Sequence, residues 1–293
     1  MPRLLRSLVL AVVAVAALAG AGCAYLETKE RELVFRPVRD YVRSPADLGL
    51  AHEELWLVVA RQDGAGDERV HGWWLPAARP GAPTLLYLHG VRWSLGNNLF
   101  RIARWHDLGF NVLAVDYRGF GRSDGDLPSE QAIQADARAA WAEVRRREPQ
   151  KAMRFIYGHS LGAAVALDLA AGERDAAGVI AEAGFTSLPD MVADRNLPVG
   201  ALLTQRFDAL DRARSLSMPS LFIHGTADSV VPSTMSERLY AAAPAPKRLL
   251  LIEGGSHSNF GGTGMSEVRR AVAEFVSLAQ LDAKSRSAAL SLR

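Results

Sequence analysis

Gly158-His159-Ser160-Leu161-Gly162 sets a serine hydroxyl between two glycines. The apolar run Met153-Arg154-Phe155-Ile156-Tyr157 precedes it, and Ala163-Ala164-Val165-Ala166-Leu167-Asp168-Leu169-Ala170-Ala171, rich in strong helix formers, follows it. The first run reads as a buried strand and the second as a helix, so Ser160 stands on a sharp strand-to-helix turn that exposes its side chain. A serine hydroxyl is a weak nucleophile at neutral pH; it needs a general base, and the base needs an orienting carboxylate. Two later segments supply both. Asp228 follows the apolar run 220–223 in His224-Gly225-Thr226-Ala227-Asp228, and His257 follows the run 248–252 in the Gly-rich Glu253-Gly254-Gly255-Ser256-His257-Ser258. Each candidate falls at the carboxyl end of a strand, where open sheets with helices on both faces put their sites. Taken singly, Asp228 reads as a turn cap and His257 as a polar loop residue; it is the set, in order, that carries chemistry. Glu182, just past the run 178–181, is a rival for the acid. His89, His159 and His224 read as loop-shaping, spacer or packing residues.

The elements that must position these residues alternate along the chain. Leu55-Trp56-Leu57-Val58-Val59 and Val70-His71-Gly72-Trp73-Trp74 flank Asp63-Gly64-Ala65-Gly66, a pattern for an antiparallel hairpin. Short apolar runs at 84–88, 111–115, 153–157, 178–181, 220–223 and 248–252 follow. Helical spacing appears at Leu99, Ile102, Ala103 and Leu108, with Gly109 as a stop, and again over 129–147. A last amphipathic helix carries Val268, Val272, Phe275, Val276 and Ala279. The expected fold is α/β: a mostly parallel eight-stranded sheet with helices on both faces. The irregular stretch 184–216, with Pro189 and Pro198, forms a small cap between strands six and seven. The expected organisation is a signal peptide over 1–22, a tether and N-terminal extension over 23–50, a catalytic domain over 51–281 and a polar, frayed tail over 282–293.

The pieces Leu33-Val34-Phe35-Arg36-Pro37, Leu88-His89-Gly90, Asp116-Tyr117-Arg118-Gly119-Phe120-Gly121-Arg122-Ser123, the Ser160 motif, His224-Gly225-Thr226-Ala227-Asp228 and Gly255-Ser256-His257 together resemble the α/β-hydrolase superfamily. The resemblance is to its small-cap serine hydrolases related to serine aminopeptidases, monoacylglycerol lipases and ABHD-type lipases. It implies a nucleophile elbow at Ser160, Asp228 as the acid and His257 as the base. It also implies an oxyanion hole from the backbone N–H groups of Leu161 and Val91, the latter in the loop after the third strand. Relatives often have Asn where this chain has Val91, which changes pocket polarity but not a backbone donor. Arg92 and Trp93 either line the pocket or shield the loop. The implied activity is hydrolysis of carboxylic esters, acyl lipids or thioesters through an acyl-enzyme, with no metal or organic cofactor. A peptidase of the same fold and a non-catalytic envelope binding or scaffold protein are the alternatives.

The formal charge is only +2 at pH 7, with charges mixed along the chain and no zinc-finger spacing, so nucleic acid is not the expected partner. Arg3 and Arg6 followed by the apolar stretch 8–19 form a targeting segment too short for a comfortable membrane span. Leu18-Ala19-Gly20-Ala21-Gly22-Cys23-Ala24 resembles a bacterial lipoprotein cleavage box, although Gly20 stands where that family usually has Leu. The alternatives are cleavage after the A-x-A-like Ala19-Gly20-Ala21 and a retained anchor. Cys23 is the only cysteine, so no disulfide forms within the chain, and lipidation explains a single thiol in an envelope protein. Loss of 1–22 removes Arg3 and Arg6 and leaves a formal charge of about 0, so acyl chains rather than anionic lipid would hold the protein to a membrane.

Overall fold

The computed structural model describes residues 20–61, 63–197, 199–259 and 261–291. Residues 1–19, most of the expected signal peptide, and Pro198 of the cap lie outside them. Eight strands form one sheet: β1 (Glu53–Ala60), β2 (Asp67–Leu75), β3 (Thr84–Leu88), β4 (Asn111–Val115), β5 (Arg154–His159), β6 (Gly178–Glu182), β7 (Ser220–Gly225) and β8 (Lys247–Ile252). Their order across the sheet is β1-β2-β4-β3-β5-β6-β7-β8. β1 and β2 run antiparallel, as β2 and β4 do, and the remaining neighbours are parallel. The expected hairpin and the mostly parallel eight-stranded sheet are both present.

Side chains alternate across a strand, and that alternation builds two cores. Leu86, Leu88, Ile156 and Val179 face one layer, packed with α3 (Glu130–Arg147), α4 (Leu161–Gly172), α6 (Ala209–Arg214) and α7 (Ser233–Ala242). Leu85, Tyr87, Phe155, Tyr157 and Ile180 face the other, packed with α2 (Leu95–Asp107) and α8 (Gly261–Ser291). Burial on both faces explains why β3, β5 and β6 read as unbroken apolar runs. Ile133, Ala137, Ala140, Trp141 and Val144, at helical spacing within the stretch 129–147, are all fully buried. Ser129 caps that helix, its hydroxyl accepting from the Ala132 N–H. The cap between β6 and β7 consists of α5 (Leu188–Asp194), a 3₁₀ turn (Gly200–Leu202) and α6.

Two terminal segments differ from expectation. The polar stretch read as a tether is helical over 20–35, here α1. Its polar residues dock it: Arg31 donates to the carbonyls of Leu127 and Pro128, and the Glu30 carboxylate accepts the N–H groups of Thr204 and Gln205. Phe35 at its end is fully buried, edge-on to Phe207 of the cap. The expected frayed tail from 282 continues α8 to Ser291. Ala283 extends the buried stripe of α8, and Arg286 bonds Asp282 one turn earlier and reaches the Ala176 carbonyl. Among the described residues no helix is long and apolar enough to cross a membrane.

Candidate active site

Ser160 sits between β5 and α4 with φ 56° and ψ −121°, a conformation outside the ordinary wells for an L-residue. Its N–H donates to Glu182 O at 2.9 Å, and its carbonyl accepts from Ala163 N at 2.9 Å, which pins the turn on both sides. The flanking glycines are required by space. A Cβ on Gly158 would collide with the Gly162 carbonyl, and one on Gly162 with the backbone of Leu88 and His89. The start of α4 therefore presses directly on the ends of β5 and β3. Leu161 is the first residue of α4, and the first N–H groups of a helix have no intrahelical acceptor. Its amide lies at the positive end of the helix dipole, suited to a developing anion.

The loop after β3 comes close to the serine: a Cβ on Gly90 would stand 3.3 Å from Ser160 Cβ. His89 Nδ1 donates to Gly90 O at 2.6 Å, while its Nε2 accepts the Tyr117 N–H at 3.4 Å. Burial pushes the His89 pKa down, which keeps the ring neutral in that tautomer. In a trans peptide the carbonyl and the next N–H point in opposite directions. Holding Gly90 O therefore also fixes the direction of the Val91 N–H. Arg92 follows at φ 73°, its N–H donating to Phe35 O at 3.2 Å. The side chains of Arg92 and Trp93 are exposed, Trp93 edge-on to Phe100.

The other two candidates meet across the ends of β7 and β8. His257 Nδ1 lies 2.7 Å from Asp228 Oδ2. The Thr226 N–H donates to Ile252 O and the Ala227 N–H to Gly255 O, each at 2.9 Å, which stitches the two loops together. A Cβ on Gly225 would collide with the Gly255 backbone at this crossing. Asp228 has a fully buried side chain. Burial alone would raise its pKa, but hydrogen bonds from His224, His257 and the Val231 amide outweigh it and hold the carboxyl well below the usual range. It is thus a carboxylate wherever the protein is folded near neutral pH.

The back of the His257 loop rests on His159 and Arg101. His159 Nε2 lies 2.9 Å from His257 O and 3.1 Å from Arg101 Nη2, and Arg101 Nη2 also donates to Ser258 O at 3.3 Å. Burial first, then the charges of Arg101 and His257, push the His159 pKa well below 6.5. Glu182, the rival acid, is occupied elsewhere: it pairs with Arg104 and accepts the Tyr157 hydroxyl at 3.0 Å. Arg101 is the residue that sequence reasoning passes over. It lies fully buried among Leu95, Leu99, Ile102 and Trp105, and a charge on the apolar stripe of an amphipathic helix is the signal that marks it.

Among the described residues no group of His, Cys, Asp and Glu is arranged to hold a metal ion. A polar cleft of about 830 Å³ runs between α1, the β1–β2 loop and the start of α3. Neither Ser160 nor His257 lines it. Its charges pair among themselves, Arg61 with Asp63 and Glu68, and Arg118 with Glu68. Cys23 is exposed on α1.

A profile of the family described as "Serine aminopeptidase, S33" matches residues 81–210 and 195–263. An uncharacterized protein of Mycobacterium tuberculosis is 35% identical over 280 residues, which span 92% of this chain and 97% of that protein. The "Alpha/beta hydrolase domain-containing protein WAV2" of Arabidopsis thaliana is 31% identical over 252 residues, 77% of this chain and 79% of that one. The Pyrococcus furiosus esterase Pf2001 superposes with a TM-score of 0.66 at 20% identity, over 83% of this chain and 99% of its own. At that identity the likeness is one of fold.

Proposed function

The chain belongs to the serine aminopeptidase S33 family of α/β-hydrolases, and we propose that within it this protein is a serine hydrolase that cleaves carboxylic esters through an acyl-enzyme. Ser160 Oγ attacks the ester carbonyl while His257 takes its proton, and the carbonyl oxygen becomes an oxyanion held by the Leu161 and Val91 amides. His257 returns the proton to the leaving alcohol as the tetrahedral adduct collapses to the acyl-Ser160 ester. Water, deprotonated by His257, then attacks that ester, and release of the carboxylic acid restores the Ser160 hydroxyl. Asp228 holds the Nδ1–H tautomer of His257 and stabilises the imidazolium formed in each half-reaction.

The observation that carries this reading is the 2.7 Å contact from His257 Nδ1 to a buried Asp228 carboxylate, in a chain that also holds Ser160 on a strained strand-to-helix turn. A fluorophosphonate probe tests it. Labelling of the wild type and none of Ser160→Ala is the expected result; labelling that persists in Ser160→Ala overturns the assignment. The family description also names an aminopeptidase, so turnover of aminoacyl-arylamides in preference to p-nitrophenyl esters would replace the ester reading with a peptidase one at the same Ser160. We further propose that Cys23 carries the acyl chains of a bacterial envelope lipoprotein, on the strength of the small residues leading to it and its exposure on α1.

A further inference from the structure

Asp228 has two histidines on one oxygen. Its Oδ2 receives His257 Nδ1 at 2.7 Å and His224 Nε2 at 3.1 Å. Its Oδ1 accepts the N–H groups of Val230 and Val231 at 2.8 and 2.9 Å. His224 is fully buried at the end of β7. Its Nε2 also lies 2.9 Å from Val231 O. That nitrogen thus faces a carboxylate oxygen and a carbonyl oxygen, neither of which donates, so Nε2 bears the proton. On the far side Nδ1 lies 2.6 Å from the hydroxyl of Ser236, in the first turns of α7, and that hydroxyl is 3.4 Å from Gly184 O at the base of the cap.

We propose that His224 is a positioning residue for the hydrolytic reaction: it locks the Asp228 carboxylate in the plane from which Oδ2 meets His257. The inference rests on the reading of Asp228 as the triad acid. The two turn amides anchor only Oδ1. Both oxygens move together about the Cβ–Cγ bond, and without His224 the only side chain on Oδ2 would be a histidine on a partly exposed loop. His224 supplies the second fixed point from inside the core. The ring is held in this orientation, because a flip about Cβ–Cγ would turn Cε1 towards the two acceptors and Cδ2 towards Ser236 and so lose all three contacts. Packing alone does not account for a histidine here. The site is closed to water, where an aliphatic side chain of similar size would avoid desolvating two ring nitrogens. The chain Ser236–His224–Asp228–His257 thereby runs from α7 to the proposed base.

The test separates this role from simple stabilisation of the β7 turn. His224→Leu keeps much of the volume and removes the donor; His224→Gln places an amide nitrogen near the position of Nε2. Activity on p-nitrophenyl butyrate is expressed as kcat per fluorophosphonate-titrated site, so that misfolded protein does not count. The expected result is a kcat about 10- to 100-fold lower in His224→Leu, by analogy with the loss of an outer hydrogen-bond partner that orients a metal-ligating side chain, with KM within about twofold and substantial recovery in His224→Gln. The low-field proton resonance of the His257–Asp228 hydrogen bond should persist in His224→Gln and shift or broaden in His224→Leu. Ser236→Ala, a mild change should His224→Leu fail to fold, is expected to lower kcat several-fold. Wild-type kcat per titrated site in His224→Leu, or in Ser236→Ala where only that variant folds, overturns the proposal. If Ser160→Ala is still labelled, the site reading itself has failed; if it is not labelled and His224→Leu keeps full kcat, only the role of His224 has.

Discussion

His159, the residue just before the proposed nucleophile, holds the loop of the proposed base: its Nε2 lies 2.9 Å from the carbonyl oxygen of His257, and the two rings stand 4.9 Å apart. The strand-to-helix turn and the His257 loop are thus tied by a side chain on a backbone carbonyl. His159 itself is held neutral, because burial and nearby positive charge push its pKa well below 6.5. The unfolded chain takes up a proton at this residue below about pH 6.5 and the folded one does not, so stability falls as pH drops from there. The slope from this one group is at most about 1.4 kcal/mol per pH unit. His159→Gln removes that proton from the linkage. Its melting temperature should therefore decline less steeply than the wild type's between pH 6.5 and 5; parallel curves in differential scanning calorimetry would contradict this.

Gly158 and Gly162 are predicted to be intolerant of even one methyl group. Each faces backbone rather than a flexible side chain, so the collision cannot be relieved by a rotamer change. Gly158→Ala and Gly162→Ala should each cost about 3 kcal/mol or more, the upper range for overpacking, read as a lower urea midpoint. At Gly172, on the other end of α4, an added methyl would meet nothing within 4 Å, and the residue has no positive φ. Gly172→Ala should leave the midpoint unchanged within about 0.5 kcal/mol or raise it.

Asp228→Asn separates orientation from folding. The amide fills the same space, but with its oxygen towards the two histidines its NH2 faces the N–H groups of Val230 and Val231, and with its NH2 towards the histidines it accepts from neither. A fall in kcat of about 10⁴-fold is expected for loss of the orienting acid, with the protein still folded by circular dichroism. Because the hydrogen bonds to Asp228 hold its pKa low, the carboxylate's stabilisation is present at neutral pH and is lost only in strong acid, as pH falls through its folded pKa. The melting temperature of the variant should accordingly lie below that of the wild type at pH 7 and converge on it towards pH 2. A kcat within tenfold of wild type would remove Asp228 from the role of acid.

What is legible in the sequence is local. The strand, glycine turn and helix around Ser160 lie within about twenty residues, and periodicity exposes α3 because Ile133, Ala137, Ala140, Trp141 and Val144 are all apolar. The roles of the three spacer-like histidines are not legible, because each depends on a partner far away: His159 on the His257 carbonyl 98 residues on, His89 on Tyr117 28 residues on, His224 on Ser236 12 residues on. α7 escapes a periodicity reading for a related reason, since its buried positions Met235, Ser236 and Leu239 include a serine that breaks the apolar pattern. α1 reads as a tether because what fixes it is polar: Glu30 and Arg31 find backbone partners that composition does not reveal.

The docking of α1 gives the proposed lipid anchor a mechanical consequence. If cleavage falls before Cys23, the mature chain starts inside α1, and Glu30 lies seven residues further, about 10 Å along the helix axis. Glu30 grips the cap there, accepting the N–H groups of Thr204 at 2.9 Å and Gln205 at 2.8 Å and the Thr204 hydroxyl at 2.7 Å. Acyl chains on Cys23 would then be coupled to the cap by a short helix rather than by a slack tether. Cys23→Ser is expected to abolish incorporation of labelled palmitate and to move the protein from the membrane to the soluble fraction. Its kcat on a water-soluble ester should stay unchanged, since Cys23 is exposed and far along the chain from Ser160. Palmitate incorporation and membrane fractionation that survive in Cys23→Ser would exclude acylation at this residue and leave cleavage after Ala21 or a retained apolar segment to account for the N-terminus.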